Sequence, residues 1–177
     1  MSTLRSLFVL SICCLASALF AKHVEYTPQI VDTLMQPYYK MHEGLAADDL
    51  AKVQAGGKEL AEAMKNAPTD PDFVDTTNAL STSATAMSKA PDLKSARKDF
   101  HVISQELIKL LKHEGAHDGS KHFVHFCPMA HDGQGAAWIQ PNKDTANPYY
   151  GKMMLKCGEF DEEISGAANG ETEDHPH

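Results

Sequence analysis

A mainly α-helical protein, an up-and-down four-helix bundle followed by a small irregular or β C-terminal segment, is the fold this sequence predicts. Three observations carry that expectation. Apolar residues recur at steps of three and four between Tyr26 and His113, cap residues stand before most of these runs, and past Gly115 the pattern gives way to glycine, proline, histidine and aromatics.

The first helix is expected from Thr27-Pro28, a hydroxyl cap before a proline at the first helical position, and Ile30, Leu34, Tyr38, Met41 and Leu45 follow at helical spacing. Pro37 inside it predicts a kink or a short break, because proline has no N–H to give to the preceding turn. Asp48 is expected to cap a second helix that turns Leu50, Val53, Leu60 and Met64 inward. Gly56-Gly57 in its middle costs about 1 kcal/mol per glycine relative to alanine, so the helix either bends there or lets another backbone come close. Asp70-Pro71 repeats the cap-plus-proline signal before a third, Ser/Thr-rich helix with Phe73, Leu80, Ala84 and Met87. After Pro91, the residues Leu93, Ala96, Phe100, Ile103, Leu107 and Leu110 form a bundle seam, with Gly115 as its stop. Connections of a few residues favour antiparallel neighbours, hence the up-and-down arrangement over 27–114.

In the segment 120–164, HFVHFC, AAWIQ and KCGEF read as strands, and NPYYG between the last two has the residues of a turn. Residues 165–177, which end in GAANGETEDHPH, read as a disordered acidic tail. At the other end, MSTLRSLFVLSICCLASALFAK has the layout of a secretory signal peptide over 1–21, with cleavage expected after Ala21 or, by the small-x-small pattern, after Ala18. Its apolar run is too short to span a bilayer, and Cys13 and Cys14 lack the small residues a lipid-anchoring signal wants before its cysteine. A soluble exported protein of one domain, 22–164, located in the periplasm and not inserted in the membrane after cleavage, is the expectation.

The formal net charge of −8 argues against a nucleic-acid partner and against an anionic membrane surface. No glycine-rich phosphate loop, Gly-x-Ser-x-Gly elbow or His-Glu-x-x-His helix occurs. A Cys127–His125 nucleophile and base would lack an identifiable orienting group, so the chain does not read as an enzyme.

What remains is sulfur. Cys127, Pro128 and Met129 are followed about thirty residues later by Met153, Met154 and Cys157. In an extended segment Cys127 and Met129 share a face, and in a helical turn Met154 and Cys157 do. Thiolates with thioethers make a soft site, which selects Cu(I) over Zn²⁺, Mg²⁺ or Ca²⁺, and His131 or His125 can complete it. The same two cysteines in an exported protein are also the ingredients of a disulfide, which would contribute about 3–4 kcal/mol by closing a loop of this length. A zinc site is disfavoured, since no Cys-x-x-Cys or finger-type His pair is present. Of the other histidines, His113 suits the last turn of a helix, His117 and His122 read as exposed loop residues, and His175 and His177 belong to the solvated tail. Met35, Met41, Met64 and Met87 read as core.

The run FVHFCPMAHDGQGAAWIQ with NPYYGKMMLKCGEFDEEI, and Tyr39, Met41 and Gly44-Leu45-Ala46-Ala47-Asp48-Asp49 in the helical part, resembles a known family. It is the C-terminal domain of unknown function found on CusB-type periplasmic adaptors of copper and silver efflux systems, and alone in exported bacterial proteins. The resemblance covers most of 28–164. It implies a helical domain whose Cys/Met end handles copper, Cu(I), or silver, with Cys127, Met129, Met154 and Cys157 as candidate ligands; His131 is not part of the family pattern. The chain lacks the barrel and lipoyl-like regions of a full adaptor. The resemblance therefore implies a free-standing metal-binding or metal-delivering module, partnered by an efflux adaptor or a metallochaperone. The alternative is a disulfide-stapled helical module that binds an envelope protein and no metal.

Overall fold

The computed structural model describes residues 23–117 and 119–166. The signal-peptide reading of 1–21 and the tail from residue 167 lie outside the described residues. Four long helices carry the first two thirds of the described chain: α1 (Pro28–Ala46), α2 (Leu50–Ala63), α3 (Val74–Met87) and α4 (Leu93–Glu114). Each packs on the next, and α1 also meets α4. Their apolar stripes meet in one core containing Val31, Tyr38, Leu60, Leu80, Phe100 and Leu107. Met35, Met41, Met64 and Met87 are buried in it, as their helical spacing indicates.

Local chemistry explains the ends. The Thr27 hydroxyl accepts from the Ile30 N–H at 3.3 Å, and Pro28 follows at the first helical position. Helix α1 then runs on through Pro37, so of the kink or short break expected there the break does not occur. Tertiary packing overrides the local cost there: a Cβ on Gly56 of α2 would lie 2.9 Å from the Pro37 carbonyl and 2.6 Å from Met41 Cγ. Gly57 makes the matching approach on the other side of α2, where a Cβ would lie 2.7 Å from Met87 Cγ. Of the two readings the glycine pair allowed, close approach is therefore the one observed.

The cap of α2 is Asp49, whose carboxylate accepts from Lys52 N–H at 3.0 Å, and not Asp48. Asp48 sits at φ 54°, in the left-handed region, and turns its side chain to Arg97 of α4. The third segment also starts later than its cap-plus-proline signal suggests. Pro71–Phe73 form a 3₁₀ turn, because Asp70 accepts from Asp72 N–H two residues on, a turn geometry, and from Tyr26 N–H at 3.2 Å. Helix α4 is capped by Asp92 and stops at Gly115, whose φ of 78° suits glycine.

Beyond α4 the chain folds into a three-stranded antiparallel sheet, ordered β2-β1-β3, from β1 (Lys121–Cys127), β2 (Ala136–Gln140) and β3 (Glu159–Ser165). β1 and β2 coincide with the HFVHFC and AAWIQ runs. The third strand takes only the last two residues of KCGEF, beginning at Glu159, because Cys157 N–H closes a turn onto the Met154 carbonyl and Gly158 takes φ 112°. β2 packs against α4 and α1. Tyr38 of α1 joins the two parts: its hydroxyl accepts from Ile139 N–H at 2.9 Å and shares a hydrogen bond with Ser104 of α4 at 2.8 Å.

Candidate functional site

Cys127 is the last residue of β1 and is fully buried, paired in register with Ala136. Cys157 arrives from the turn before β3 and is half-buried. Their sulfurs lie 3.0 Å apart, as two free thiols in contact. The approach is forced by backbone. Gly158, beside Cys157, has no room for a side chain: a Cβ would fall 2.7 Å from Trp138 Cη2 and 3.2 Å from Cys127 Cβ. Its φ is also one that residues with a Cβ rarely adopt.

The NPYYG loop aims Cys157 through one buried amide. Asn147 donates from Nδ2 to the Cys157 carbonyl at 2.6 Å, and its Oδ1 accepts from Tyr149 N–H at 2.8 Å and Tyr150 N–H at 3.1 Å. Its own N–H reaches the Leu155 carbonyl at 2.7 Å. Both polar atoms of this fully buried side chain are thus engaged. The loop is tied to the helices by Arg97, which donates to the Pro148 carbonyl at 2.9 Å and to Asp48 at 2.6 Å. Partial burial pulls the Asp48 carboxyl upward, but the Lys152 N–H and Arg97 outweigh it and hold it below the usual carboxylate range. The Cys157 thiol is raised, first by its contact with Cys127 and then by desolvation, so it keeps its proton at neutral pH.

The thioethers differ from each other. Met129 is 55% exposed just past Cys127, Met153 is 76% exposed, and Met154 is half-buried at the turn that carries Cys157. Tyr150 closes over the pair: its hydroxyl donates to the Met129 carbonyl. Burial raises that hydroxyl, and the two nearby sulfurs add to the effect.

The histidines are otherwise engaged. His125 is buried and stacked on Trp138 at 5.5 Å; its Nε2 donates to the Asn142 carbonyl at 3.3 Å and its Nδ1 meets Thr145 Oγ1 at 3.2 Å. Burial lowers its pKa, so the neutral ring is the resting form. His131 stacks on His101 of α4 at 4.2 Å, and neither it nor His125 makes a cluster of three or more His, Cys, Asp or Glu with the thiols among the described residues. His131 and Asp132 take φ 52° and 56° in succession, a strain of roughly 1–2 kcal/mol each for residues with a Cβ.

His122 corrects the sequence reading. It is a buried strand residue, not an exposed loop one: Nε2 donates to Asp32 at 2.8 Å, and Nδ1 accepts from the Tyr39 hydroxyl at 2.7 Å. Ser120 donates to the other Asp32 oxygen at 2.8 Å, so α1 and β1 are pinned by a four-member polar chain. Two further buried groups escaped sequence reasoning. His42 donates from Nε2 to the Ala146 carbonyl at 2.8 Å, and Gln140 accepts from Trp138 Nε1 while donating to the Asn142 and Asp144 carbonyls. The available signal was the polar residue inside an otherwise apolar run, as in AAWIQ.

Residues 34–119 match a family model described as "Protein of unknown function (DUF3347)". The match begins inside α1 and ends before β1, so both cysteines and every candidate ligand lie beyond it. Neither the curated proteins nor the solved structures contain a match to this chain.

Proposed function

We propose that this chain is an exported, periplasmic, non-catalytic module that captures or delivers a soft monovalent cation, Cu(I) or Ag(I), in metal efflux or homeostasis. Cys127 and Cys157 are the thiolate ligands, with Met129 and Met154 as thioether ligands. One observation carries the reading: two thiols thirty residues apart in sequence meet at 3.0 Å, one of them at the surface, with a methionine on each flanking segment.

The donor set suits such an ion. Metal–thiolate bonds of about 2.3 Å hold two sulfurs roughly 3.8–4.6 Å apart, so the thiols must part by about 1 Å. Rotation of the half-buried Cys157 side chain about its Cα–Cβ bond can supply that while Asn147 holds the backbone. Tetrahedral zinc wants four nitrogen or sulfur ligands, whereas two thiolates with thioethers favour Cu(I) or Ag(I). His125 and His131 are weaker ligand candidates, because one has both ring nitrogens engaged and the other is stacked on His101. The pairing of each helix with the next supports an up-and-down bundle as the platform; an efflux adaptor or a metallochaperone is the partner this reading proposes.

A second reading draws on the same contact. Oxidised, the pair becomes a staple, and the exposed Phe126, Met129, Met153 and Phe160 become a surface for an envelope protein. Anaerobic competition against a Cu(I) chelator separates the two. Affinity should fall at least roughly a hundredfold in Cys127→Ser and in Cys157→Ser, and about tenfold in Met154→Leu. Equal affinity in all three variants overturns the metal reading. Protein isolated from the periplasm should show two thiols on denaturation; none before reductant and two after favours the staple.

A further inference from the structure

Beside the thiol pair, behind Tyr150, lies a cleft of about 180 Å³, of whose lining the metal reading draws only on His131, as a weaker ligand. One wall is α4, where Lys94, Arg97 and Lys98 share a face at steps of three and four, with His101 a further turn along. The other wall is the turn carrying His131 and Asp132, and Tyr149 and Tyr150 line the cleft as well. Arg97 is already paired with Asp48. Lys94 and Lys98 are exposed and form no ion pair among the described residues, while Asp132 is the single carboxylate of the lining. In a chain of net charge −8, that leaves two lysines facing a single carboxylate across the cleft, a local excess of positive charge.

Two features mark the cleft as built. His131 and Asp132 stand in consecutive left-handed conformations, which L residues hold only when the surroundings impose them. That turn lays the His131 ring on His101 at 4.2 Å, and His101 Nδ1 is buried without a partner. His131, backed by His101, and the two lysines therefore line one cleft, where one small acceptor can meet several donors.

We infer that this cleft binds a small oxyanion, the carboxylate or phosphate group of a low-molecular-weight ligand, between Lys94, Lys98 and His131. Bound there, the ligand is next to Tyr150, whose hydroxyl is held by the Met129 carbonyl two residues past Cys127, and so lies beside the thiols. The assignment stands whether or not the thiols take a metal. The test is a titration of the full chain with inorganic phosphate and, separately, succinate, followed by the imidazole C–H proton signals of His101 and His131. Saturable shifts are expected, with the stronger of the two probes naming the oxyanion class. The double variant Lys94→Glu/Lys98→Glu should bind at least roughly tenfold more weakly, Lys98→Arg should bind as the parent does, and Lys89→Glu, a single charge reversal away from the cleft, should leave affinity within about twofold. Non-saturating shifts with both probes overturn the assignment, as does an equal loss in Lys89→Glu and the double variant.

Discussion

The two regions of the molecule are held together by different chemistry. In the helices most buried side chains are apolar, with His42, Thr76, Ser83 and Ser104 as buried polar exceptions, and stability follows mainly from area removed from water. In the sheet and its loops, by contrast, buried polar groups do much of the fixing: His122, His125, Gln140 and Asn147 are each buried and hydrogen-bonded. Apolar packing tolerates small shifts, but a hydrogen-bonded amide does not. The lesson is that the helical region supplies a platform, and the polar pins supply the angular precision that brings Cys157 to Cys127.

That contrast can be broken at four places. Phe100 stacks on Tyr38 at 4.9 Å and also meets Tyr149, so it belongs to both regions. Phe100→Ala should cost about 3–5 kcal/mol and lower the whole transition; chemical denaturation with separate helical and Trp138 signals checks that both move together. If only the helical signal shifts, the regions are independent.

Acid should act through the interface next. Burial holds the His42 pKa at about 4, with the Ala146 bond opposing and not overcoming it. The unfolded chain takes up that proton near pH 6.5, so stability is complete above 6.5 and is lost as pH falls towards 4, by up to about 3 kcal/mol. His101, His122 and His125 are lowered as well and add in the same direction. Urea midpoints between pH 7 and pH 4.5 measure the slope, and His42→Gln should flatten it.

Asn147→Ala should cost roughly 2 kcal/mol, by leaving the Cys157 carbonyl and the two tyrosine N–H groups unpaired. Its sharper signature is local: Cys157 should react faster with an alkylating reagent while the helical signal barely moves. Unchanged thiol reactivity would mean that Asn147 does not aim Cys157. Smallest is Asp48→Asn, which tolerates the left-handed backbone but removes the charge facing Arg97. About 1 kcal/mol or less is expected, measured by thermal melting, with a smaller difference from the parent at high salt.

Legibility in the sequence divides along the same line. The seam of Ala96, Phe100, Ile103, Leu107 and Leu110 is buried as its periodicity foretold, and Gly115 ends the helix. Apolar contacts leave a period behind, because a helix turns every 3.6 residues. Asp48 and Asp49 are both capable caps, and only the αL conformation of Asp48, fixed by Arg97 some fifty residues away, decides between them. His122 read as a loop residue because its partners Asp32 and Tyr39 stand on a helix remote in sequence. The meeting of Cys127 and Cys157 was available as a possibility; what forces it, Gly158 under Trp138 and Asn147 on the Cys157 carbonyl, has no periodic signature.

Neighbouring positions on a helix point about 100° apart, so Gly56 and Gly57 strip α2 on two flanks at once. The helix becomes a thin spacer, touched by Met41 on one flank and Met87 on the other. A methyl group at either position would thicken one flank alone. The width of the platform under the sheet is thereby set by two hydrogen atoms, one governing the distance to α1 and the other the distance to α3.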